Sequence, residues 1–152
     1  MVIFFGSTKG KYGFLSNFAL YEMMIDGKLW PTVEHYFQAQ KFPASQSRYA
    51  EKIRKASTAA KAKNMGKTGK IPIKANWDDI REDVMRKALY HKFSAHKDIR
   101  LKLIATGNEE IVEKAPWDSY WGDGKNGMGK NRLGLLLMEL RQQLKSKKRK
   151  RN

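Results

Sequence analysis

Cysteine is missing altogether from the 152 residues, which excludes disulfides, thiolate metal sites and a cysteine nucleophile. Histidine is scarce: His35, His91 and His96 make no metal signature, and the last two are spaced too widely for HExxH. Long apolar runs are lacking as well. None approaches the roughly 18 residues of a membrane span, and the N-terminus has none of the charged, apolar, small-residue order of a signal peptide, so no membrane partner and a cytoplasmic location are expected. Acidic residues are outnumbered 15 to 31 by lysine and arginine, and the formal charge of +16 favours phosphates, polyanions or acidic surfaces as partners. Lys145, Lys147, Lys148, Arg149, Lys150 and Arg151 hold six of these charges, which leaves +10 for the body. That terminal run reads as a disordered, solvated tail over 145–152, with weak nucleic-acid contact as its functional alternative. The length and composition of the remainder, 1–144, fit one domain with one core.

The chain divides into short elements. Val2 to Phe5 reads as a buried strand. Gly6 to Gly13 is a loop that fails the GxxxxGK[ST] pattern in glycine spacing and at position 12. Tyr21 to Ile25 and Lys28 to Trp30 flank Asp26-Gly27, a two-residue hairpin signal. A helix is expected from about Thr32, with Pro31 in its first turn. Further helices are expected from Ser45 or Ser47 to Ala56, Thr58 to Met65, Trp77 to Phe93, around Ile99 to Ile104, and Leu133 to Leu144. Gly66 to Lys74 is a loop, and Glu110 to Val112 a brief strand or turn. The run Leu135, Leu136, Leu137, Met138 and Leu140 is expected deep in the core.

Two stretches carry residue types suited to chemistry. In WPTVEHYFQAQKF, about 100° per residue places Glu34, Gln38 and Lys41 in one polar wedge of a largely apolar helix. Taken alone, that wedge is explained at least as well by a solvent-facing stripe. In DSYWGDGKNGMGKNRLG, glycines permit close backbone approach, and the N–H groups opening the next helix would favour an anion. A mobile surface loop would tolerate the same glycines, but Tyr120 and Trp121 at its head favour a binding loop.

These stretches, with FLSNF upstream of the first and NWDDIREDVMRKALYHKF between them, resemble the YbiA-like N-glycosidase group of the NADAR superfamily over nearly the whole chain. The resemblance implies an α+β, mainly helical single-domain fold with a short N-terminal β-hairpin. It also implies hydrolysis of a ribosyl C–N bond without metal or redox cofactor. The implied substrates are phosphoribosylamino-pyrimidine intermediates of riboflavin biosynthesis, a phosphorylated ribosyl class, or guanine carrying ADP-ribose. A non-catalytic nucleic-acid or ADP-ribose binding module is the alternative of a different class.

On that resemblance Glu34 is the first catalytic candidate, since a carboxylate can stabilise positive charge at the anomeric carbon or activate water. Lys41 is either a Schiff-base nucleophile or a phosphate-binding cation. Asp118 is an acid/base or ribose-hydroxyl acceptor. Trp121 and Gly122 stack on the base and offer backbone contact, while Asn17, Phe18, Gln38 and Asn131 bind or pack the substrate. Trp77 is a weaker stacking candidate, for which core packing is the better explanation. ALYEMMI, after FLSNF, lacks the proline often found there in the family.

Overall fold

A computed structural model describes all residues from Met1 to Asn152. Its backbone groups into two compact units, residues 17–95 and residues 1–16 with 96–152. The secondary structure is α+β and mainly helical. No helix is long and apolar enough to cross a membrane.

The unit 17–95 is built around a buried helix. Strands β2 (Met23–Ile25) and β3 (Lys28–Trp30) form an antiparallel hairpin in register Met23 to Trp30. Its turn has Asp26 at φ 51° and Gly27 at φ 79°, the doubly left-handed geometry that an Asp-Gly pair provides. Lys87 on a later helix holds the Asp26 carboxylate at 2.8 Å. The hairpin leads into α1 (Val33–Ala39), whose N-cap is Thr32: its hydroxyl accepts from the His35 N–H at 3.2 Å. Pro31 therefore precedes the cap rather than occupying the first turn. Around α1 pack α2 (Ser47–Arg54), α3 (Ala59–Gly66) and α4 (Trp77–Ala95). Thr58 caps α3 in the same way as Thr32 caps α1.

The second unit pairs β1 (Val2–Phe5) in parallel with β4 (Glu110–Glu113). Ile3 and Phe5 point inward while Val2 and Phe4 are exposed, so β1 is half-buried by alternation rather than a fully buried run. Helix α5 (Lys97–Ala105) ends before Gly107, which takes φ 70°. Helix α6 (Arg132–Arg151) packs against β4 and α5. Leu133, Leu136, Leu137, Leu140 and Leu144 are its buried face, whereas Leu135 is exposed and Met138 only half-buried, because a run longer than one face must wrap around the helix.

The helix does not stop at Leu144. It continues to Arg151, so the basic segment is helical where disorder is expected from its charge. Lys145 starts that extension, donating to the Gly107 carbonyl and, at 3.0 Å, to Asn108 Oδ1, carbonyl-type acceptors near the end of α5.

Candidate active site

Every residue of α1 is buried, including the polar wedge. Glu34 is 7% exposed and Gln38 3%, so a solvent-facing stripe is ruled out. One turn apart, the two meet: Gln38 Nε2 donates to Glu34 Oε1 at 2.8 Å. The wedge is covered by α3. A Cβ on Gly66 would sit 1.9 Å from Gln38 Oε1, so only glycine lets α3 approach this closely.

Two polar atoms of the seam are buried without a hydrogen-bond partner, Gln38 Oε1 and Asn17 Oδ1. Such groups are costly to leave unmet and commonly await a ligand or water. Asn17 is fixed beside the helix start, for its carbonyl accepts the Glu34 N–H at 3.2 Å and its amide nitrogen donates to Met85 Sδ at 3.6 Å. Phe18, next in the chain, lies under the Lys63 ammonium, 5.8 Å from ring centre to Nζ.

Lys41 lies just beyond the end of α1 rather than on it, after the C-cap Gln40. Its N–H returns to the Gln38 carbonyl at 3.3 Å, and its own carbonyl accepts from Lys74 N–H at 2.7 Å. The side chain is half-buried, with the ammonium 5.9 Å from the centre of the Phe37 ring. Phe37 in turn packs on Trp77 at 5.1 Å, and Trp77 is 5% exposed, which places it in the core.

The titration of the pair follows from this setting. Burial pushes the Glu34 carboxyl above its usual range, although the Gln38 amide and the Lys63, Lys41 and Lys67 ammoniums partly oppose the shift. Burial pushes Lys41 below the usual lysine range; Glu34 opposes the shift and Lys67 and Lys63 add to it. A carboxyl shifted towards its acid form and an amine shifted towards its free base are suited to the roles of proton donor and nucleophile in one seam. His35, by contrast, is structural. Its Nε2–H donates to the Ala56 carbonyl at 2.9 Å, its Nδ1 contacts the Thr32 hydroxyl at 2.7 Å, and burial lowers its pKa.

The glycine-rich loop belongs to the other unit, and Asp118, Asp123 and Asn131 in it bond to backbone groups. Asp118 Oδ1 accepts from Tyr120 N–H at 3.0 Å and Trp121 N–H at 2.9 Å, an Asx turn. Asn131, at φ 50°, bridges β4 with both ends of its amide: Glu113 N–H donates to Oδ1 at 3.0 Å, and Nδ2 donates to the Ile111 carbonyl at 2.8 Å. Gly122 is buried, and a Cβ there would sit 2.5 Å from that of Ala115. Trp121 is half-buried, edge-on to Tyr120 at 5.0 Å. The first two donors expected to meet an anion at the following helix start are already used. Arg132 N–H and Leu133 N–H, which open α6, are taken by the Tyr120 and Trp121 carbonyls at 3.0 and 3.1 Å.

The structure therefore brings Asn17, Phe18, Glu34, Gln38 and Lys41 together around α1, with Trp77 behind them in the core. Asp118, Trp121, Gly122 and Asn131 belong to the other unit. Three residues escape the sequence pattern read for function. Lys63 and Lys67 flank Gly66, and the signal is their spacing with that glycine on one helical face. Lys92 is 1% exposed and held to a pKa of about 7 by burial, beside the Tyr21 and Phe93 rings. It completes the stripe Met85, Ala88, Leu89 at helical spacing, which could have identified it as inward-facing. No group of three or more His, Asp or Glu side chains is placed to hold a metal ion.

The chain is similar to known proteins over nearly its whole length. The NADAR domain family model matches residues 3–145. The N-glycosidase YbiA of Shigella sonnei is 52% identical over 143 residues, covering 94% of this chain and 88% of that protein. The riboflavin biosynthesis protein VVA0006 of Vibrio vulnificus is 38% identical over 142 residues, of which this chain spans only 38% of the length. Among solved structures, the NMR structure of the Escherichia coli protein YbiA superposes with a TM-score of 0.88 at 50% identity, covering 97% of this chain and 86% of that one.

Proposed function

The chain belongs to the NADAR domain family, and we propose that it hydrolyses the ribosyl C–N bond of phosphoribosylamino-pyrimidine intermediates of riboflavin biosynthesis. That it is a hydrolase of N-glycosyl bonds follows from its likeness to N-glycosidases over 94% of its length. The pyrimidine substrate is supported by the riboflavin-pathway name of a relative sharing the domain. The observation that carries the reading is the buried Glu34–Gln38 pair, whose unmet amide oxygen and shifted carboxyl stand beside a desolvated Lys41.

In this reading Glu34, protonated, gives its proton to the ribose ring oxygen as the C1–O bond opens, and the exocyclic nitrogen forms a C1=N imine. The neutral Lys41 amine adds to C1, and the pyrimidine amine leaves with a proton. Water then adds to the C1=Nζ bond, Glu34 carboxylate takes its proton, and C1–Nζ cleavage releases ribose phosphate and regenerates the amine. Asn17 and Gln38 supply acceptors for ribose hydroxyls, and Phe18 a packing surface.

A mass-spectrometric assay tests this with purified protein on a phosphoribosylamino-pyrimidine and on ADP-ribosylated guanosine side by side. Release of ribose phosphate from the first is expected. Turnover of the second alone would move the substrate to ADP-ribosyl guanine. No release from either, with salt-steep nucleic-acid binding, would replace catalysis by a binding module. Borohydride under turnover is expected to fix a reduced sugar on Lys41, and its absence would leave that lysine only an electrostatic role.

The contribution of Asp118 is tested separately by Asp118→Asn. The amide oxygen still accepts from the Tyr120 and Trp121 N–H groups, so Tm should hold. A rise in KM then reports a carboxylate used as a ribose-hydroxyl acceptor, and an unchanged KM removes that role.

A further inference from the structure

A phosphorylated substrate needs cationic or N–H donors for its phosphate. The first two N–H groups of α6 are bonded to loop carbonyls, and at the α1 start those of Glu34 and His35 are taken by Asn17 and Thr32. Cationic side chains beside the seam are the other class of donor.

Helix α3 supplies them at the seam itself. Lys63, Gly66 and Lys67 are spaced i, i+3, i+4 and share one helical face. Gly66 is the contact point on that face, pressed against the Gln38 side chain. The two lysines therefore flank the spot where α3 meets the Glu34–Gln38 pair. Lys63 is half-buried with its ammonium over Phe18, and Lys67, the C-cap of α3, is exposed. Their positive charges favour the ionised form of Glu34 and the neutral form of Lys41. A cation near the C-terminal end of a helix is also favoured by the helix dipole, which suits the position of Lys67.

We propose that Lys63 and Lys67 bind the phosphate of the ribosyl substrate, so that α3 reads phosphorylation while Lys41 is left for C1. This rests on the N-glycosidase reading and adds the residues that set its preference. Gly66 is what allows the two cations to stand this close to the reacting groups.

The test compares kcat/KM of the wild-type chain and the Lys63→Met/Lys67→Gln double variant on a phosphoribosylamino-pyrimidine and on the same compound lacking the phosphate. Methionine keeps the Lys63 stem over Phe18. Two charge-assisted contacts are expected to give a phosphate preference of about 100-fold, which the double variant abolishes. A preference unchanged in the variant overturns the proposal, as does an equal loss on both substrates, which would mean the lysines act only on the charges of Glu34 and Lys41. If the wild-type chain turns over neither compound, the N-glycosidase reading fails by itself. Calorimetric binding of ribose 5-phosphate then decides the lysines: at least tenfold weaker binding by the single Lys67→Gln variant supports them, and equal binding overturns them.

Discussion

The seam around α1 and the loop before α6 both gather polar residues into a tight space, but they leave those residues in opposite states. In the loop, Asp118, Asn131 and Asp123 are committed to backbone. Asp123 Oδ1 accepts from Ala115 N–H at 3.0 Å, and Lys114 beside Oδ2 at 2.8 Å holds the carboxyl below its usual range. In the seam, Gln38 Oε1 and Asn17 Oδ1 are buried and unmet, and Glu34 is desolvated rather than paired with a cation in contact. Satisfied buried groups specify a fold, whereas unmet ones are a cost the fold bears for something else. By this measure the seam holds polar groups left for a ligand to meet, while the loop's hydrogen bonds to backbone fix its own path.

Substitutions at the two places should therefore separate activity from stability. The largest effect short of Glu34 itself is expected at Lys41: Lys41→Ala should lower kcat by about 100-fold or more, with Tm within a few degrees of wild type, as measured by steady-state kinetics and calorimetry. Gly66→Ala comes next. Its Cβ cannot coexist with Gln38 Oε1 at 1.9 Å, so Gln38 must turn away from Glu34, and a loss of about tenfold in kcat is expected. Retained kcat there would show that the Gln38–Glu34 bond does not serve turnover.

In the loop the sign reverses. Asn131→Ala removes two hydrogen bonds and puts alanine at φ 50°, for a stability loss of about 2–4 kcal/mol in urea unfolding. Turnover per folded molecule should stay within a few-fold. A variant that is stable but slow would place Asn131 among the substrate-binding groups.

The last expected effect is a slope rather than a rate. Lys92 titrates near 10.4 in the unfolded chain and at about 7 in the folded one. Between those values the unfolded chain binds more protons, so stability should rise with pH from about 7 towards 10. Lys92→Met should flatten that rise, and an unchanged slope would show that Lys92 stays charged in its buried position.

Much of this was legible in the residues. Thr32 and Thr58 as caps, Asp26-Gly27 as a hairpin turn, and the Glu34–Gln38–Lys41 wedge all depend on neighbours a few positions apart, which local chemistry fixes. What covers the wedge was not legible, because a helical face shows its own composition and not its neighbour. The covering residue is Gly66, distant in sequence and unmarked except by its lack of a side chain. The α6 start failed for a similar reason: that the Tyr120 and Trp121 carbonyls fold back on it depends on the path of the whole loop. The basic segment after Leu144 was read from charge alone. Its helix is a continuation of a strongly packed one, anchored at Lys145.

Glu34 is the residue on which the proposed chemistry depends most directly, and one experiment reaches it: release of ribose phosphate from a phosphoribosylamino-pyrimidine by Glu34→Gln, followed by mass spectrometry, with Tm measured on the same sample at pH 7. Glutamine keeps the acceptor for Gln38 Nε2 but can neither give nor take the proton, so turnover should fall by about 1,000-fold. Stability should move the other way. Since burial raises the Glu34 pKa, ionising it destabilises the fold, negligibly below the unfolded value of about 4.3 and fully above the folded one. The variant should therefore melt at or above wild type at pH 7. Wild-type turnover by Glu34→Gln would contradict the claim that the α1 seam carries the chemistry.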